Sequence, residues 1–580
     1  MLLNYKDEFI RWCNNIKKGQ ELYEELIKLS DEEENEIEEC FYKDIEFGTG
    51  GLRGIRGVGT NRINVYTVAK ASQGLANYMI KEDLEKAVAI AYDTRINSKL
   101  FAQIAAEVLA SNGIKVYMFQ DYSTVPQLSF AIRKLGCGMG VIITASHNPA
   151  KYNGYKVYCK DGYQATDSQA TAIFEEIKTI DIFKDIKKKS LSELEQEKMV
   201  TYLGTEMTDA FIEAVIRGMP KNPEADVIQE LKVVYTALNG AGAIPVTKIL
   251  KKIGIEQLEL VKEQMYPDGN FPTCTYPNPE IKETMTLAEN LALKTGADLI
   301  LATDPDCDRV GTGIKTDRGF VYLTGNQIGI LLFDYIIKIR KKNNSLPKHP
   351  KVATTIVTSK LLDKLAEKHA ITSRRSLIGF KYIGEYMTEL EKLGDEKQFI
   401  LGLEESYGYL TGTHVRDKDG VNAVAVICQM AADYKKEGKT LVDVIEEIYN
   451  TYGYEEDLLL NLTFEGKAGA DNMESIMKDF REKTMYSFLG YPLTSKADYK
   501  LKIKEEYDQN GKMMMAREIL LPTSNIIEYQ FTEKLGFTVR PSGTEPKIKI
   551  YIFTISRDKT DAKILAERAG TELRRMIINE

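Results

Sequence analysis

Residues 140–149 have the sequence GVIITASHNP, in which a run of β-branched residues leads directly into a polar turn. The run 141–143 is typical of a buried strand, and Pro149 followed by Asn153-Gly154 favours a loop after it. Ser146 therefore lies at the carboxyl end of a predicted strand. Ligands of open α/β sheets bind at this end of the strands, so the turn is a candidate site.

Two other interpretations compete for Ser146. A lone serine in a turn is most often only a turn former. A Ser-His-acid hydrolase is disfavoured because the G-x-S-x-G elbow is missing and the adjacent His147 need not reach Ser146 as a base. A chemical role for this serine therefore depends on the other polar turns of the chain.

The same succession of β-branched run, turn and helical spacing recurs along the chain and predicts α/β layers around mostly parallel sheets. The further runs are 87–92, 115–119, 231–236, 297–303, 352–357 and 399–403. Such units become fewer in the last part of the chain, which favours an α+β module there. We predict three similar α/β mixed-sheet domains and a C-terminal α+β domain, with the limits 1–205, 206–318, 319–452 and 453–580.

Composition bounds the class of protein. A chain of 580 residues with 43% hydrophobic residues is long enough for several cores. Its formal net charge of −8 argues against a broad surface for nucleic acid or for an anionic membrane. An anionic substrate would have to be held by a local cluster of positive charge.

The cysteines and the apolar runs indicate the compartment. Seven cysteines are scattered without a C-x-x-C pair, which favours a reducing compartment. The N-terminus becomes charged too early for a signal peptide, and no apolar run reaches the roughly 18 residues of a spanning helix. We expect a cytoplasmic protein with no membrane and no nucleic-acid partner. The residues give no prediction of its oligomeric state.

A second polar turn, DPDCDR at 304–309, follows the run 297–303. Its three carboxylates alternate along a tight loop and can converge on one point, where their repulsion favours a hard cation such as Mg²⁺. The EF-hand pattern fails because Arg309 stands where glycine is needed and Lys315 where glutamate is needed. An acidic turn without a metal is the remaining alternative.

Two more turns carry polar groups suited to a sugar phosphate. In GLEESYGY at 402–409, a carboxylate and a hydroxyl two residues apart can bind adjacent sugar hydroxyls, and GFKY at 379–382 places a positive charge beside an aromatic ring. In RPSGTEPK at 540–547, an arginine, two hydroxyls and a glycine make a phosphate cradle. Each turn is ambiguous when it is taken alone.

Together the four turns resemble the α-D-phosphohexomutase superfamily, and within it the phosphoglucomutases of the branch that includes phosphoglucomutase-2. The resemblance runs from about Phe47 to the C-terminus and keeps the order of the family's loops: T-A-S-H-N-P continuing to YNGYK at 152–156, D-x-D-x-D-R, E-E-S and R-x-S-G-T-E-P. It implies four domains around one central cleft, each of which contributes one loop.

The resemblance also implies roles for individual residues. The matches are Ser146 as phosphoserine and metal contact, Asp304, Asp306 and Asp308 as Mg²⁺ ligands, Glu404 and Ser406 as readers of sugar hydroxyls, and Arg540, Ser542, Gly543 and Thr544 as the grip on the non-reacting phosphate. The remaining matches are Arg53 in GTGGLRG at 48–54, His147 and Lys156 near the reacting group, Arg309 beside the metal, and Lys381 in the third domain.

The implied activity is that of a phosphoglucomutase, an enzyme that interconverts glucose 1-phosphate and glucose 6-phosphate. The implied route passes through a phosphoserine and a bound glucose 1,6-bisphosphate, which would also be the activator, with Lys156 or His147 as proton acceptor. Phosphopentomutase, phosphomannomutase and glucose 1,6-bisphosphate synthase activities are the alternatives on this scaffold. A metal-dependent phosphatase and a non-catalytic sugar-phosphate-binding protein are alternatives of another class.

Overall fold

The computed structural model describes residues 4–30, 34–48, 50–220, 225–464, 466–542 and 547–578. Its helices are α1 (Tyr5–Asn15), α2 (Tyr23–Leu29), α3 (Glu34–Phe41), α4 (Val65–Lys81), α5 (Ser98–Ser111), α6 (Val125–Leu135), α7 (Asp167–Lys178), α8 (Leu191–Gln196), α9 (Thr205–Gly218), α10 (Ala243–Lys252), α11 (Lys262–Met265), α12 (Thr286–Thr295), α13 (Gly325–Lys342), α14 (Leu361–Lys368), α15 (Phe380–Lys392), α16 (Gly420–Lys436), α17 (Leu441–Tyr452), α18 (Gly466–Glu482) and α19 (Lys559–Ile578).

The strands lie between these helices and at the C-terminal end of the chain. They are β1 (Phe47–Gly48), β2 (Gly51–Ile55), β3 (Ala87–Tyr92), β4 (Lys115–Phe119), β5 (Met139–Ile143), β6 (Tyr152–Cys159), β7 (Val200–Leu203), β8 (Lys232–Thr236), β9 (Gln257–Leu260), β10 (Leu299–Thr303), β11 (Val310–Thr316), β12 (Gly319–Leu323), β13 (Lys351–Thr355), β14 (Thr372–Ser376), β15 (Phe399–Glu404), β16 (Gly408–Leu410), β17 (Tyr454–Thr463), β18 (Ser487–Phe488), β19 (Tyr491–Asp498), β20 (Ile503–Tyr507), β21 (Met513–Glu518), β22 (Ile527–Phe531), β23 (Leu535–Pro541) and β24 (Lys547–Ser556).

The chain forms two compact units, one of residues 1–351 with 380–440 and one of 352–379 with 441–580. In the first unit, a seven-stranded sheet has the order β1-β2-β6-β5-β3-β4-β7. Its strands β5, β3, β4 and β7 run parallel, whereas β6, β2 and β1 add antiparallel strands at one side. All residues of β3 and β5 are buried, as expected for parallel strands between helical layers.

The helix α6 shows how local sequence sets the limits of an element in this layer. Thr124 caps the helix by accepting from the Gln127 N–H, and the Gln127 side chain accepts in return from the Thr124 N–H. Pro126 lies in the first turn, and Gly136 ends the helix at a φ of +66°. The Val125 N–H of this helix donates to the Asp306 backbone oxygen (3.0 Å), so the helix also supports the turn after β10.

The first unit contains a second sheet with the order β12-β11-β10-β8-β9. Strands β10, β8 and β9 are parallel, and the hairpin of β11 and β12 extends the sheet with antiparallel strands. Strands β15 and β16 form an antiparallel pair in the same unit. The predicted turns at 144–149 and 304–309 thus follow the ends of β5 and β10, whereas the predicted turn at 402–409 includes the end of β15 and the start of β16.

The second unit is built around an antiparallel sheet. Strands β17, β24, β23, β22, β19, β20 and β21 follow one another in this order, and β18 pairs with β19. Its apolar core includes Tyr529, Phe531 and Phe537 from the sheet and Ala569 and Leu573 from α19. The unit also contains β13, α14 and β14.

These sheets confirm the predicted fold class, with mixed sheets in the α/β part and an α+β module at the C-terminal end. The runs 87–92 and 115–119 coincide with β3 and β4, whereas the strands in the other predicted runs differ by one or two residues at one end or at both ends. All seven cysteines lie in the described part of the chain, and none forms a disulfide. Among the described helices, none has both the length and the apolar character that a membrane span requires.

Candidate active site

Ser146 lies three residues beyond the end of β5 and is only 2% exposed. Its φ of +51° is in the left-handed region, which is unfavourable for a residue other than glycine. The Ser146 N–H donates to Thr144 Oγ1 (2.8 Å), which helps to hold this conformation. Backbone conformations of this kind are concentrated at functional sites, so the geometry supports the interpretation of Ser146 as more than a turn former.

The Ser146 hydroxyl is held between an acidic and a basic side chain. Its Oγ donates to Asp304 Oδ2 (2.9 Å) and accepts from the Arg309 guanidinium (2.8 Å). The structure therefore brings the predicted nucleophile into direct contact with the predicted metal-binding turn. This contact joins residues that are 158 positions apart in the sequence.

The carboxylates of Asp304, Asp306 and Asp308 converge as the alternating pattern predicts. All three side chains are buried, and an oxygen atom of each lies within 4.8 Å of an oxygen atom of the other two. Asp304 Oδ1 accepts from the N–H groups of Asp308 (3.0 Å) and Arg309 (3.1 Å), so this side chain also folds the turn. The result is a compact pocket of carboxylate oxygens at the end of β10.

This cluster fits a divalent cation. Asp306 Oδ1 and Asp308 Oδ1 are buried and have no hydrogen-bond partner among the described residues, although buried polar atoms are normally satisfied. Burial, together with the charges of Asp306 and Asp308, raises the pKa of Asp304 well above its usual range. Carboxylate oxygens that lack hydrogen-bond donors and repel one another are suitable ligands for Mg²⁺.

Two aspartates of the cluster also form ion pairs with basic side chains. Lys156 Nζ lies 2.8 Å from Asp306 Oδ2, and the Arg309 guanidinium lies 3.1 Å from Asp304 Oδ2. Burial acts to raise the pKa of Asp306, but the Lys156 ammonium, together with Arg309 and Asp304, lowers this pKa below its usual range. The predicted residues Lys156 and Arg309 therefore belong to the same charged cluster as the three carboxylates.

His147 contacts this cluster, and Arg53 lies on β2, which pairs with the strand that carries Lys156. The Arg309 guanidinium donates to His147 Nδ1, which itself lies 3.5 Å from Ser146 Oγ. Arg53 on β2 is opposite Gly154 on β6, and Lys156 is two residues further along that strand. Because residues two apart on a strand face the same side, Arg53 and Lys156 point to the same face of the sheet.

The turn after β15 is joined to the metal-binding turn. The Arg309 Nε–H donates to the Ser406 backbone oxygen (3.1 Å), and the Val310 N–H donates to the Tyr407 backbone oxygen (3.0 Å). Glu404 is buried at the end of β15, whereas Tyr407 takes a φ of +63° in the turn. Arg309 therefore contacts the turn of Ser146 and the turn of Glu404 and Ser406 at once.

Lys381 makes a different contact. Its Nζ forms an ion pair with Asp167 on α7 (2.6 Å), and the Tyr382 hydroxyl donates to the same carboxylate (2.7 Å). Burial acts to raise the pKa of Asp167, but hydrogen bonds from Lys381 and Tyr382 lower it. The substrate-binding role of Lys381 stays a prediction.

The predicted phosphate cradle lies in the second unit. Arg540 is in β23 opposite Lys549, and its guanidinium donates to the Tyr551 hydroxyl (3.2 Å). The Ser542 N–H donates to the Lys547 backbone oxygen (2.8 Å). Gly543 and Thr544 lie outside the described residues, so the phosphate-binding role of this turn stays a prediction.

Lys418 belongs to the site although the sequence analysis did not select it. Its Nζ lies 3.3 Å from Asp308 Oδ2 and 3.5 Å from Glu404 Oε2, so it connects the metal-binding turn with the sugar-binding turn. Burial, the largest single effect, lowers the pKa of Lys418, but Asp308, Asp417 and Glu404 together raise it. The buried polar run RDKDG at 416–420 was the available signal, because charged residues are rarely buried without a role.

Three sequence models of one family match the chain in succession. They are described as the α/β/α domains I, II and III of phosphoglucomutase/phosphomannomutase, and they match residues 44–183, 209–317 and 324–452. Curated relatives extend the similarity. A phosphoglucomutase of Staphylococcus epidermidis is 38% identical over 544 residues, which are 93% of this chain and 96% of that protein. One of Staphylococcus saprophyticus is 36% identical over 558 residues, or 95% and 97% of the two chains.

Solved structures show the same fold at lower sequence identity. Parafusin, a phosphoglucomutase from Paramecium in its open form, has a TM-score of 0.65 at 19% identity, over 92% of this chain and 95% of that one. A phosphoglucomutase/phosphomannomutase family protein of Burkholderia thailandensis has a TM-score of 0.63 at 17% identity, over 91% and 96%.

Proposed function

Because the chain belongs to the phosphoglucomutase/phosphomannomutase family of the α-D-phosphohexomutase superfamily, we propose that it is an intramolecular phosphotransferase of the isomerase class. Its reaction interconverts glucose 1-phosphate and glucose 6-phosphate in the cytoplasm, as a phosphoglucomutase of the phosphoglucomutase-2-like branch. The similarity to curated relatives named phosphoglucomutase covers nearly the whole chain. The proposal includes four domains with limits after residues 205, 318 and 452.

The observation that carries the proposal is the setting of the Ser146 hydroxyl. This hydroxyl contacts both the Asp304 carboxylate and the Arg309 guanidinium, in the turn of the chain that keeps the family's phosphoserine motif. A phosphoryl group on Ser146 would lie beside the acidic cluster and beside a cation able to stabilise its oxygens.

The residues present would hold Mg²⁺ through Asp304, Asp306 and Asp308, together with an oxygen of phospho-Ser146. When bound, Mg²⁺ supplies positive charge that stabilises charge on the transferring phosphoryl group. The protein groups perform the remaining work: Arg309 and the Lys156 ammonium bind phosphoryl oxygens. The proton of the attacking hydroxyl goes to His147, or to Lys156 in its neutral form.

In the proposed cycle, the bond between Ser146 Oγ and phosphorus breaks as a free hydroxyl of the hexose monophosphate bonds to that phosphorus. The product is a bound glucose 1,6-bisphosphate, which reorients before its other phosphoryl group returns to Ser146. Glu404 and Ser406 would bind the sugar hydroxyls, with Lys381 as a further substrate contact. Arg540, Ser542, Gly543 and Thr544 would hold the phosphate that does not react, and added glucose 1,6-bisphosphate would act as the activator that phosphorylates Ser146.

A panel of substrates tests the proposal. The purified protein is supplied with Mg²⁺, glucose 1,6-bisphosphate and either glucose 1-phosphate, mannose 1-phosphate or ribose 1-phosphate, and the isomerised product and free phosphate are measured. We expect the highest kcat/KM with glucose 1-phosphate and no release of phosphate. A preference for ribose or mannose 1-phosphate would replace the assignment by phosphopentomutase or phosphomannomutase. Release of phosphate would indicate a phosphatase, and absence of turnover on all three sugars would overturn the proposed function.

A further inference from the structure

Arg95, in the turn after β3, makes a set of contacts that the proposed reaction has not used. Its side chain is buried, and its guanidinium donates to four backbone oxygens of the Ser146 turn. The acceptors are those of Ser146, Asn148 (2.5 Å), Pro149 (3.0 Å) and Tyr152 (3.1 Å). A single side chain therefore fixes the main chain from the nucleophile to the start of β6.

Arg95 is itself held from the side of its own turn. Its guanidinium lies 3.3 Å from the carboxylate of Asp93, and both side chains are fully buried. The other oxygen of Asp93 accepts from the Arg95 N–H (2.9 Å) and from Ser98 Oγ (2.7 Å). Asp93 thus orients the arginine and balances its charge.

A loop from the other part of the same unit closes over the arginine. The Phe271 ring lies 5.0 Å from the Arg95 guanidinium, in the geometry of a cation–π contact. Gly269 approaches so closely that a Cβ there would lie 2.3 Å from the Ile96 backbone nitrogen. This approach seals Arg95 from solvent, and charge-assisted hydrogen bonds are stronger in such surroundings.

We infer that Arg95 is a positioning residue: it holds Ser146 in its left-handed conformation so that the hydroxyl faces Asp304 and Arg309. The inference rests on the proposed function for its kinetic consequence. The carbonyl contacts are backbone contacts, so they act on the placement of Ser146 and not on the substrate. A purely structural arginine would affect global stability, whereas a positioning arginine controls the rate of phosphoryl transfer after the protein has folded.

Three variants test the role. Arg95→Lys keeps the charge, but its single ammonium cannot reach four carbonyls, and Arg95→Gly leaves a space that free guanidinium can enter. Phe271→Leu keeps the arginine and removes only the ring. Arg133→Gln is the matched control, since Arg133 is a partly buried arginine that likewise donates to a backbone oxygen, that of Asp161, and pairs with a carboxylate, that of Glu391. The measurements are kcat, KM and phosphorylation of Ser146, and hydrogen exchange of the protein without substrate.

For Arg95→Lys we expect kcat to fall by about 100-fold with KM within about threefold of the wild type, because misplacement of a reacting group acts on the chemical step. Phe271→Leu should show a smaller loss of the same kind. Added guanidinium should restore part of kcat to Arg95→Gly. In the exchange experiment, peptides that cover residues 145–153 should lose protection while the rest of the first unit keeps it. Arg133→Gln should change none of these quantities.

Any of three results would overturn the inference. In Arg95→Lys, residues 145–153 could keep the hydrogen-exchange protection of the wild type, or protection could fall evenly over the whole first unit. In Arg95→Gly, kcat could fall without any recovery when guanidinium is added. If an arginine variant fails to fold, Phe271→Leu still decides through the exchange of residues 145–153. The exchange arm needs no substrate. A wild type without mutase activity would therefore refute the proposed function, and the exchange data would still test whether Arg95 holds the Ser146 turn.

Discussion

The three aspartates beside Ser146 are matched in formal charge by the three basic side chains that contact them, although Glu404 and Asp417 also lie close to Lys418. The three aspartates contribute −3, and the three cations that contact them, Lys156, Arg309 and Lys418, contribute +3. A phosphoryl group on Ser146 would add about −1.5 to −2 charges near neutral pH. One divalent cation would return the sum close to zero, so the buried cluster suits a site that carries phosphoserine and Mg²⁺ together.

Lys418 provides a test of this balance at a single residue. Replacing it in Lys418→Met leaves Asp308 and Glu404 without their shared cation in a buried setting, which is strongly unfavourable. We expect kcat to fall by about 100-fold. Lys435→Met is the control, because Lys435 pairs with Asp298 at the surface (2.7 Å). Steady-state kinetics of both variants decide the matter, and equal activity of the two would exclude Lys418 from the site.

Metal binding gives a second test at residue scale. Asp308→Asn removes one charged oxygen from the cluster, and we expect its affinity for Mg²⁺ to fall by more than about 100-fold, since even indirect supports of metal ligands can account for up to that factor. Calorimetric titration with Mg²⁺ measures this directly. Asp317→Asn, in the exposed turn between β11 and β12, is the control. Unchanged binding by Asp308→Asn would refute the assignment of the ligands.

Individual contacts explain which residues the sequence could predict. Ser146 and the three aspartates were predicted because their turns follow recognisable strands, whose ends carry ligand-binding groups, and because the four polar turns occur together. Lys418 was missed because Asp308 and Glu404 come from distant parts of the chain, and the charged run at 416–420 does not reveal that they meet it. The ion pair of Lys381 with Asp167 was missed for the same reason, since 214 residues separate them in the sequence.

At the scale of elements, β-branched runs identified the parallel strands, but two other strands of the site escaped the sequence analysis. Strand β2, GLRGI, contains two glycines and no apolar alternation, and β6, YNGYKVYC, contains Asn153-Gly154, a pair that favours a loop. Both become strands by pairing with each other and, in β6, with β5. Tertiary pairing overrides weak local preference in such strands.

Gly154 allows a prediction about this pairing. A Cβ at Gly154 would lie 2.4 Å from the Thr144 backbone oxygen, directly before the Ser146 turn. Gly154→Ala should therefore shift the end of β5, lower the free energy of unfolding by about 1 to 3 kcal/mol and reduce kcat. Gly218→Ala is the control, because its nearest contact, His414 Nδ1, would lie at an ordinary 3.4 Å. If Gly154→Ala had the same melting temperature and the same kcat as Gly218→Ala, the predicted steric conflict at Gly154 would be wrong.

At the scale of the whole molecule, a chain with a net charge of −8 has to bind an anionic substrate. Basic side chains of the first unit lie together where three turns meet through Arg309, and the proposed function assigns them to the anionic substrate. The second unit carries Arg540 and the predicted phosphate cradle. The proposed reaction requires one phosphate group at Ser146 and one at the Arg540 turn, so each unit would supply one phosphate site.

The most direct test of this account asks where the phosphoryl group resides. The wild type and Ser146→Ala are incubated with glucose 1,6-bisphosphate and Mg²⁺, digested, and analysed by mass spectrometry alongside the turnover of glucose 1-phosphate. We predict one phosphoryl group in the wild type, on the peptide that contains Ser146, and neither phosphorylation nor normal turnover in Ser146→Ala. A phosphoryl group on another residue, or a Ser146→Ala protein with undiminished turnover, would contradict the central claim.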